Sequence, residues 1–280
     1  MVNFMGLRIG GVSGIFKSHD SAPGHFEESF SGGDGARRSV YHSRAVDARL
    51  LGAAGALDAV LSHDWPRCAA RGGDVEALLR SKPFLADDVR AGVLGSPLLD
   101  PVAQGGHRLW LSAHLHVAYA AVLPGGARFL ALDKPLPGRH FAQWITMPVN
   151  ATDQQFHNRE LQIDGRWLAV LRAGLKPQEF FGRGRCELPS LNIQTEEDPL
   201  PCGLWINGQP GLVTESILQR LGLSSLAEIR QSVAANAAPA AAAASAPSMF
   251  ATKRMRSEAE EILLPTGPPP KDPNVLDISE

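Results

Sequence analysis

Short apolar runs, each closed by a glycine-rich or polar turn, punctuate the first half of the chain and give it the rhythm of an α/β fold. Gly6 to Phe16 reads as a buried strand running into a glycine-rich turn. Ala45 to Leu51 has the composition of a helix, with Gly52 as its stop. Leu57 to Leu61 predicts a short strand that ends at Ser62-His63-Asp64-Trp65-Pro66. Val75 to Leu79 and Asp87 to Val93 are candidate helices, and His107 to Leu111 is a further strand ending at Ser112-Ala113-His114-Leu115-His116. Val117 to Val122 and Arg128 to Leu132 flank Pro124-Gly125-Gly126 as a hairpin would. Alternating strands and helices favour an α/β core over an all-β one.

The second half is less regular. Trp144 to Val149 has the alternation of a strand, Leu161 to Leu171 mixes strand and helix signals, and Leu212 to Leu221 and Ser225 to Gln231 look helical. This divides the chain into residues 1–150, a smaller subdomain over 151–231, and a tail over 232–280. In that tail, ten of the 13 residues from 234 to 246 are alanine, but Pro239 interrupts them and no apolar face accompanies them, so disorder is expected. Residues 17 to 44, rich in Gly, Ser, His and charge, read as a long loop.

The length of 280 residues and a 44% hydrophobic content allow one large core or two ordinary ones. A formal net charge of −2 excludes a globally basic nucleic-acid binder while leaving room for a local basic patch. Three cysteines, Cys68, Cys186 and Cys202, make an odd count without C-x-x-C spacing, which argues against a disulfide framework. No apolar run approaches the ~18 residues of a membrane span, and the N-terminus lacks a signal-peptide layout. The expectation is a soluble protein of a reducing compartment, with no membrane partner. Lys253-Arg254-Met255-Arg256 is a weak nuclear-import patch, with a chance basic run as the equal alternative.

Candidate chemistry gathers where strands end. His63 follows one strand, and His114 and His116 follow another. Open α/β sheets bind ligands at the carboxyl ends of their strands, and imidazoles there suit Zn, Fe or Mn. One such histidine is usually structural; strand-end histidines at two sites raise ligation to about even odds. Asp64 could ligate, accept from an imidazole, or cap the loop, and a supporting role is preferred. The loop Lys17-Ser18-His19-Asp20 through Gly24-His25-Phe26-Glu27 combines cationic, hydroxyl, imidazole and aromatic groups, as phosphate contact and base stacking require; a solvated loop with its own turn bonds is the alternative.

Taken together, GLRIGGVSG (Gly6 to Gly14), IFKSHD (Ile15 to Asp20), GHFE (Gly24 to Glu27), RSVYHSR (Arg38 to Arg44), LSHDWP (Leu61 to Pro66), LGS (Leu94 to Ser96), WLSAHLHV (Trp110 to Val117) and RFLALDKPLP (Arg128 to Pro137) resemble the lariat debranching family of the calcineurin-like metallophosphoesterase superfamily, in order and spacing. A weaker likeness continues at WLAVLRA (Trp167 to Ala173). The resemblance implies a partial metallophosphoesterase sandwich, β-sheets flanked by helices, with a small C-terminal subdomain. It implies hydrolysis of the 2′–5′ phosphodiester at the branch point of excised intron lariats, with branched RNA as substrate, spliceosome-associated proteins as partners and the nucleus as location. It makes His63, His114 and His116 metal ligands for Mn, Fe or Zn, two ions in the family's complete site, and it makes Ser13, Lys17, His19, Asp20, His25 and Lys82 substrate contacts.

The resemblance also shows a departure. The superfamily's N-terminal D/C-x-H, G-D and G-N-H-[DE] ligand motifs have no counterpart in usable positions, and Gly33-Asp34 and Gly73-Asp74 are out of order. The family's bridging carboxylate, Asn ligand and general-acid histidine would all precede Gly6, so no catalytic acid is assigned here. The expectation is that about a hundred residues are lacking, that one loosely held metal is the most these residues retain, and that an exposed sheet edge remains. Ser21 and Pro135 stand where the family has Tyr and Cys. Three readings follow: a debranching enzyme whose activity in this chain alone is in question, a non-catalytic RNA-binding remnant, or a general phosphodiesterase of the same superfamily.

Overall fold

The computed structural model describes residues 1–27, 38–150, 152–157 and 159–174, with isolated residues between 180 and 231. Contacts gather residues 1–144 and 149–236 into the unit described below, and Ile145–Pro148 fall outside it. The expected tail and the helices over 212–231 lie outside the described residues, apart from single positions.

Eight strands form one sheet: β1 Val2–Phe4, β2 Leu7–Val12, β3 Ala59–Ser62, β4 Leu109–Ser112, β5 Tyr119–Val122, β6 Arg128–Ala131, β7 Gln162–Ile163 and β8 Leu200–Pro201. Their order is β5-β6-β4-β3-β2-β1-β7-β8. Strands β2, β3, β4 and β6 run parallel, so their carboxyl ends share one edge. Strand β5 closes one side as the antiparallel hairpin with β6 that the sequence predicts.

One row sets the core. Val60, Trp110, Phe129 and Ala121 pair in register across β3, β4, β6 and β5, and all are buried. Alternation along each strand sends these residues to one face. Trp65, just past β3, completes the layer by stacking on Tyr119 at 5.1 Å between centroids and meeting Phe129 edge-on at 5.1 Å.

Four α-helices whose full spans lie among the described residues accompany the sheet: α1 Ala45–Ala53, α2 Val75–Ser81, α3 Ala86–Ala91 and α4 Gly165–Gly174. Helix α1 runs through Gly52 to Ala53 rather than stopping there, and the fully buried C-cap Ala54 extends beyond the glycine the packing begun by Leu50 and Leu51. Its Leu51 and the nearby Leu57 press so close to Gly10 that an added Cβ would sit 2.6 Å from Leu57 and 2.8 Å from Leu51, which explains a glycine in mid-strand. Helix α2 is capped by Asp74, whose carboxylate accepts from the Ala77 N–H.

One expectation is corrected. Trp144 to Val149 joins no ladder; Trp144 is 89% exposed, and Pro148 brings no N–H to a partner strand. Strand β2 lies inside the sheet: Val2–Phe4 folds back on it through Met5 and Gly6, both at positive φ (54° and 81°), and β7 pairs with β1 beyond. The mixed signals of Leu161 to Leu171 resolve into β7 followed by α4. Asp164 joins the two, accepting from the Trp167 N–H as a helix cap and from Arg8 of β2 at 2.7 and 3.0 Å.

Candidate functional site

The parallel edge brings two of the three predicted ligands together. His63 leaves β3 and His114 leaves β4, and His114 Nδ1 lies 3.0 Å from His63 Nε2 with the rings edge to face at 4.9 Å. His114 and His116 both take left-handed backbone, with φ of 60° and 52°. Such residues store strain of order 1–3 kcal/mol and cluster where function fixes the backbone.

The loops carrying these rings are bolted to each other. The Ala113 N–H donates to the His63 carbonyl at 3.2 Å, and the Trp65 indole N–H donates to the Ala113 carbonyl at 2.8 Å. Ser62 and Ser112 share a hydroxyl contact of 2.7 Å, with the Trp110 indole N–H donating to Ser62 at 2.9 Å. Asp64 is buried and accepts from the backbone N–H groups of Phe16 and Trp65, both at 3.1 Å. It therefore ties the glycine-rich loop after β2 to the histidine loop after β3.

Two of these imidazoles, His63 and His116, have their pKa lowered by their surroundings. Partial desolvation, then His114, pushes the pKa of His63 below the ordinary imidazole value, against the pull of Asp64. His116 is lowered by desolvation and by the positive charges of Lys134 and Lys82, with Asp133 opposing. A neutral imidazole is the form that ligates a metal.

The donor set fits a divalent ion. Two nitrogens bound to one metal at ~2.0–2.1 Å and between 90° and 109° stand roughly 2.8–3.4 Å apart, the spacing His63 and His114 already show. His116, two residues beyond His114 and exposed, does not close with them: among the described residues its ligand atoms do not gather with those of His63 and His114 within 4.8 Å.

The predicted substrate contacts divide into groups. Lys82, at the end of α2, and Lys134, which sequence reading passed over, place charge beside His116. Lys17 is exposed, and its carbonyl accepts from the Asp20 N–H in a turn. Ser13 and His25 line a cavity of about 350 Å³ between the loop after β2 and helices α1 and α4. His19 and Asp20 join a network whose other members were not assigned from sequence. Asp20 meets His42 Nδ1 at 2.6 Å, and the fully buried Arg44 bonds to the Asp20 carbonyl, to Glu27 and to Ser39, with its guanidinium over the Phe26 ring. His42 and Arg44 were visible only as part of RSVYHSR, where nothing distinguishes a buried ion-pair network from a solvated basic stretch. His19, Asp20 and His42 each bring a ligand atom within 4.8 Å of the others. The Arg44 guanidinium, 4.0 Å from the Asp20 carboxylate, already neutralises that charge and disfavours a cation there.

A mixed α/β unit with helices flanking a sheet, and histidines gathered at its parallel edge, matches part of a metallophosphoesterase-like fold. Residues 125–199 match the family described as lariat debranching enzyme, C-terminal domain. The chain is 40% identical over 184 residues to a lariat debranching enzyme of Danio rerio, 40% over 186 residues to lariat debranching enzyme A of Xenopus laevis, and 40% over 188 residues to a lariat debranching enzyme of Gallus gallus. Each alignment covers 62% of this chain and 32%, 34% and 34% of the relative, so the chain spans about a third of the length of the curated relatives it matches. Over the aligned span it is similar to the lariat debranching enzymes.

Proposed function

We propose that this chain contributes to a phosphodiesterase that hydrolyses the 2′–5′ branch of lariat RNA, with His63, His114 and His116 as ligands of a divalent metal. The observation that supports this most is the convergence of His63 and His114 at 3.0 Å on the parallel edge, in a chain related to the debranching enzymes.

Manganese, iron or zinc held there would supply Lewis-acid activation of water and neutralisation of charge developing on the phosphoryl oxygens. The chain's own residues do the rest. His63 and His114 present ring nitrogens from loops that Trp65 and Asp64 hold in register. Lys82 and Lys134 set positive charge beside His116, where a non-bridging phosphate oxygen would gain from it. Neither lysine needs to titrate to do this. Spliceosome-associated partners and a nuclear location belong to the same reading.

The test is cleavage of a 2′–5′ branched RNA by the purified chain with Mn²⁺, Fe²⁺ or Zn²⁺, against a chelator control and His114→Ala. Metal-dependent cleavage lost in His114→Ala upholds the reading. Metal-independent cleavage, or near-normal cleavage by His114→Ala, refutes the ligand assignment. Binding of branched RNA by a folded chain without turnover supports instead the reading as a non-catalytic RNA-binding module.

A further inference from the structure

The cavity beside the histidine edge plays no part in metal binding, yet it is built like a ligand site. It lies one loop away: Ser13 and Gly14, at the end of β2, form its rim, and Phe16 of the same loop is tied to Asp64. Leu50 and Leu51 of α1 form an apolar floor. Trp167 of α4 and Phe180 supply flat aromatic walls, with the Phe180 ring 5.0 Å from that of His25. At about 350 Å³ the cavity falls at the small end of sites that take organic ligands.

Its polar groups define what it can hold. His25 Nε2 meets both oxygens of Asp47 at 3.1 and 2.9 Å, which turns the carboxylate and the ring into one rigid unit on the cavity wall. Both side chains stay partly exposed, 31% for His25 and 26% for Asp47, so the carboxylate retains lone pairs open to a ligand. A carboxylate accepts and does not donate, and it repels phosphate. The cavity therefore suits a flat, uncharged group carrying N–H donors, with any attached phosphate kept outside.

We infer that this cavity binds an amino-bearing nucleobase, stacked against Trp167 and Phe180 and donating to Asp47. The proposed function bears on this only as the source of the base: the nucleotide arrives either on an RNA whose phosphate reaches the histidine edge, or as a free mononucleotide. Stacking on an aromatic side chain needs no sequence preference, whereas the Asp47 contact discriminates bases with an amino group from those without.

The experiment titrates the purified full chain with two probes, 2-aminopurine riboside 5′-monophosphate and a 2′–5′ branched RNA carrying 2-aminopurine at the branch point. Quenching reports stacking in the cavity, and anisotropy of an end-labelled copy of the RNA reports binding anywhere on the protein. Quenching of either probe is expected: of the mononucleotide for a free-nucleotide site, of the RNA alone for a base delivered on a strand. Trp167→Ala should weaken the quenched complex roughly 5- to 150-fold, the equivalent of one stacked base, while Trp167→Phe keeps most of it. Asp47→Ala, on a partly exposed helix position, should erase the preference for 2-aminopurine riboside over purine riboside in competition. The inference is overturned if the folded wild-type chain quenches neither probe, or if folded Trp167→Ala and Asp47→Ala bind like wild type. RNA bound without quenching removes the base site and leaves the RNA reading standing; mononucleotide quenching without RNA binding does the reverse.

Discussion

The Asp164 carboxylate accepts three hydrogen bonds, and replacing it tests how α4, a wall of the cavity, is held to the sheet. Its side chain is 4% exposed, it accepts from Arg8 Nε at 2.7 Å and Arg8 Nη2 at 3.0 Å, and it caps α4 through the Trp167 N–H at 2.9 Å. Asp164→Ala removes the cap, worth about 1 kcal/mol, and strands a guanidinium whose loss of a buried partner typically costs 3–5 kcal/mol. Arg8 is 23% exposed and keeps its bonds to the Ala54 and Ala56 carbonyls at 3.3 and 2.9 Å, so the total should fall near 3 kcal/mol rather than at the sum of the two. Urea unfolding of the chain followed by circular dichroism measures it, and a cycle with Arg8→Met isolates the pair. A coupling energy above about 1 kcal/mol is expected. A loss under about 0.5 kcal/mol for Asp164→Ala, or strict additivity of the two variants, would refute the reasoning.

Three further outcomes follow from particular contacts. His107 is buried, with Nδ1 accepting from the Leu57 N–H at 3.1 Å and Nε2 donating to the Val102 carbonyl at 2.9 Å, and burial lowers its pKa. The unfolded chain protonates it near pH 6.5 and the folded chain only below that, so stability is full above ~6.5 and is lost as pH falls; His107→Asn, which keeps an acceptor for Leu57, should flatten that slope by up to ~1.4 kcal/mol per pH unit in pH-dependent melts. Desolvation, followed by Asp100, pushes the Cys68 thiol up to about 11, so mass-spectrometric mapping should find it alkylated far more slowly at pH 8 in the folded chain than in urea. Trp65→Phe keeps most of the ring packing but leaves the Ala113 carbonyl without the indole N–H; a stability loss of about 1–3 kcal/mol is expected in urea melts, and an unchanged midpoint would deny that this bond matters.

How much of this was legible in the sequence depends on how local the signal was. Strands β3 and β4 and the β5–β6 hairpin announced themselves because apolar runs met turn residues, and the histidines that close β3 and β4 inherited their positions from those strands. The β1–β2 hairpin did not, since its turn carries Met5, an unusual residue for positive φ, and only Gly6 signalled it. Trp144 to Val149 misled because alternation alone cannot say whether a neighbouring strand exists to bond with. Arg44 and Asp164 escaped notice for a different reason. A buried ion pair is defined by its partner, and Arg8 lies 156 residues from Asp164. The cavity has the same character: His25, Asp47 and Trp167 come from three separate segments that only the packing of α1 against α4 unites.

The proposed metal site is the central claim, and calorimetric titration of the purified chain with Mn²⁺ and with Zn²⁺ addresses it most directly. Binding is expected in the wild-type chain, weakened by an order of magnitude or more in His63→Ala and in His114→Ala, each folded by circular dichroism. Equal binding by the wild type and both variants, or no binding by a folded wild-type chain, would contradict the assignment of these histidines as ligands.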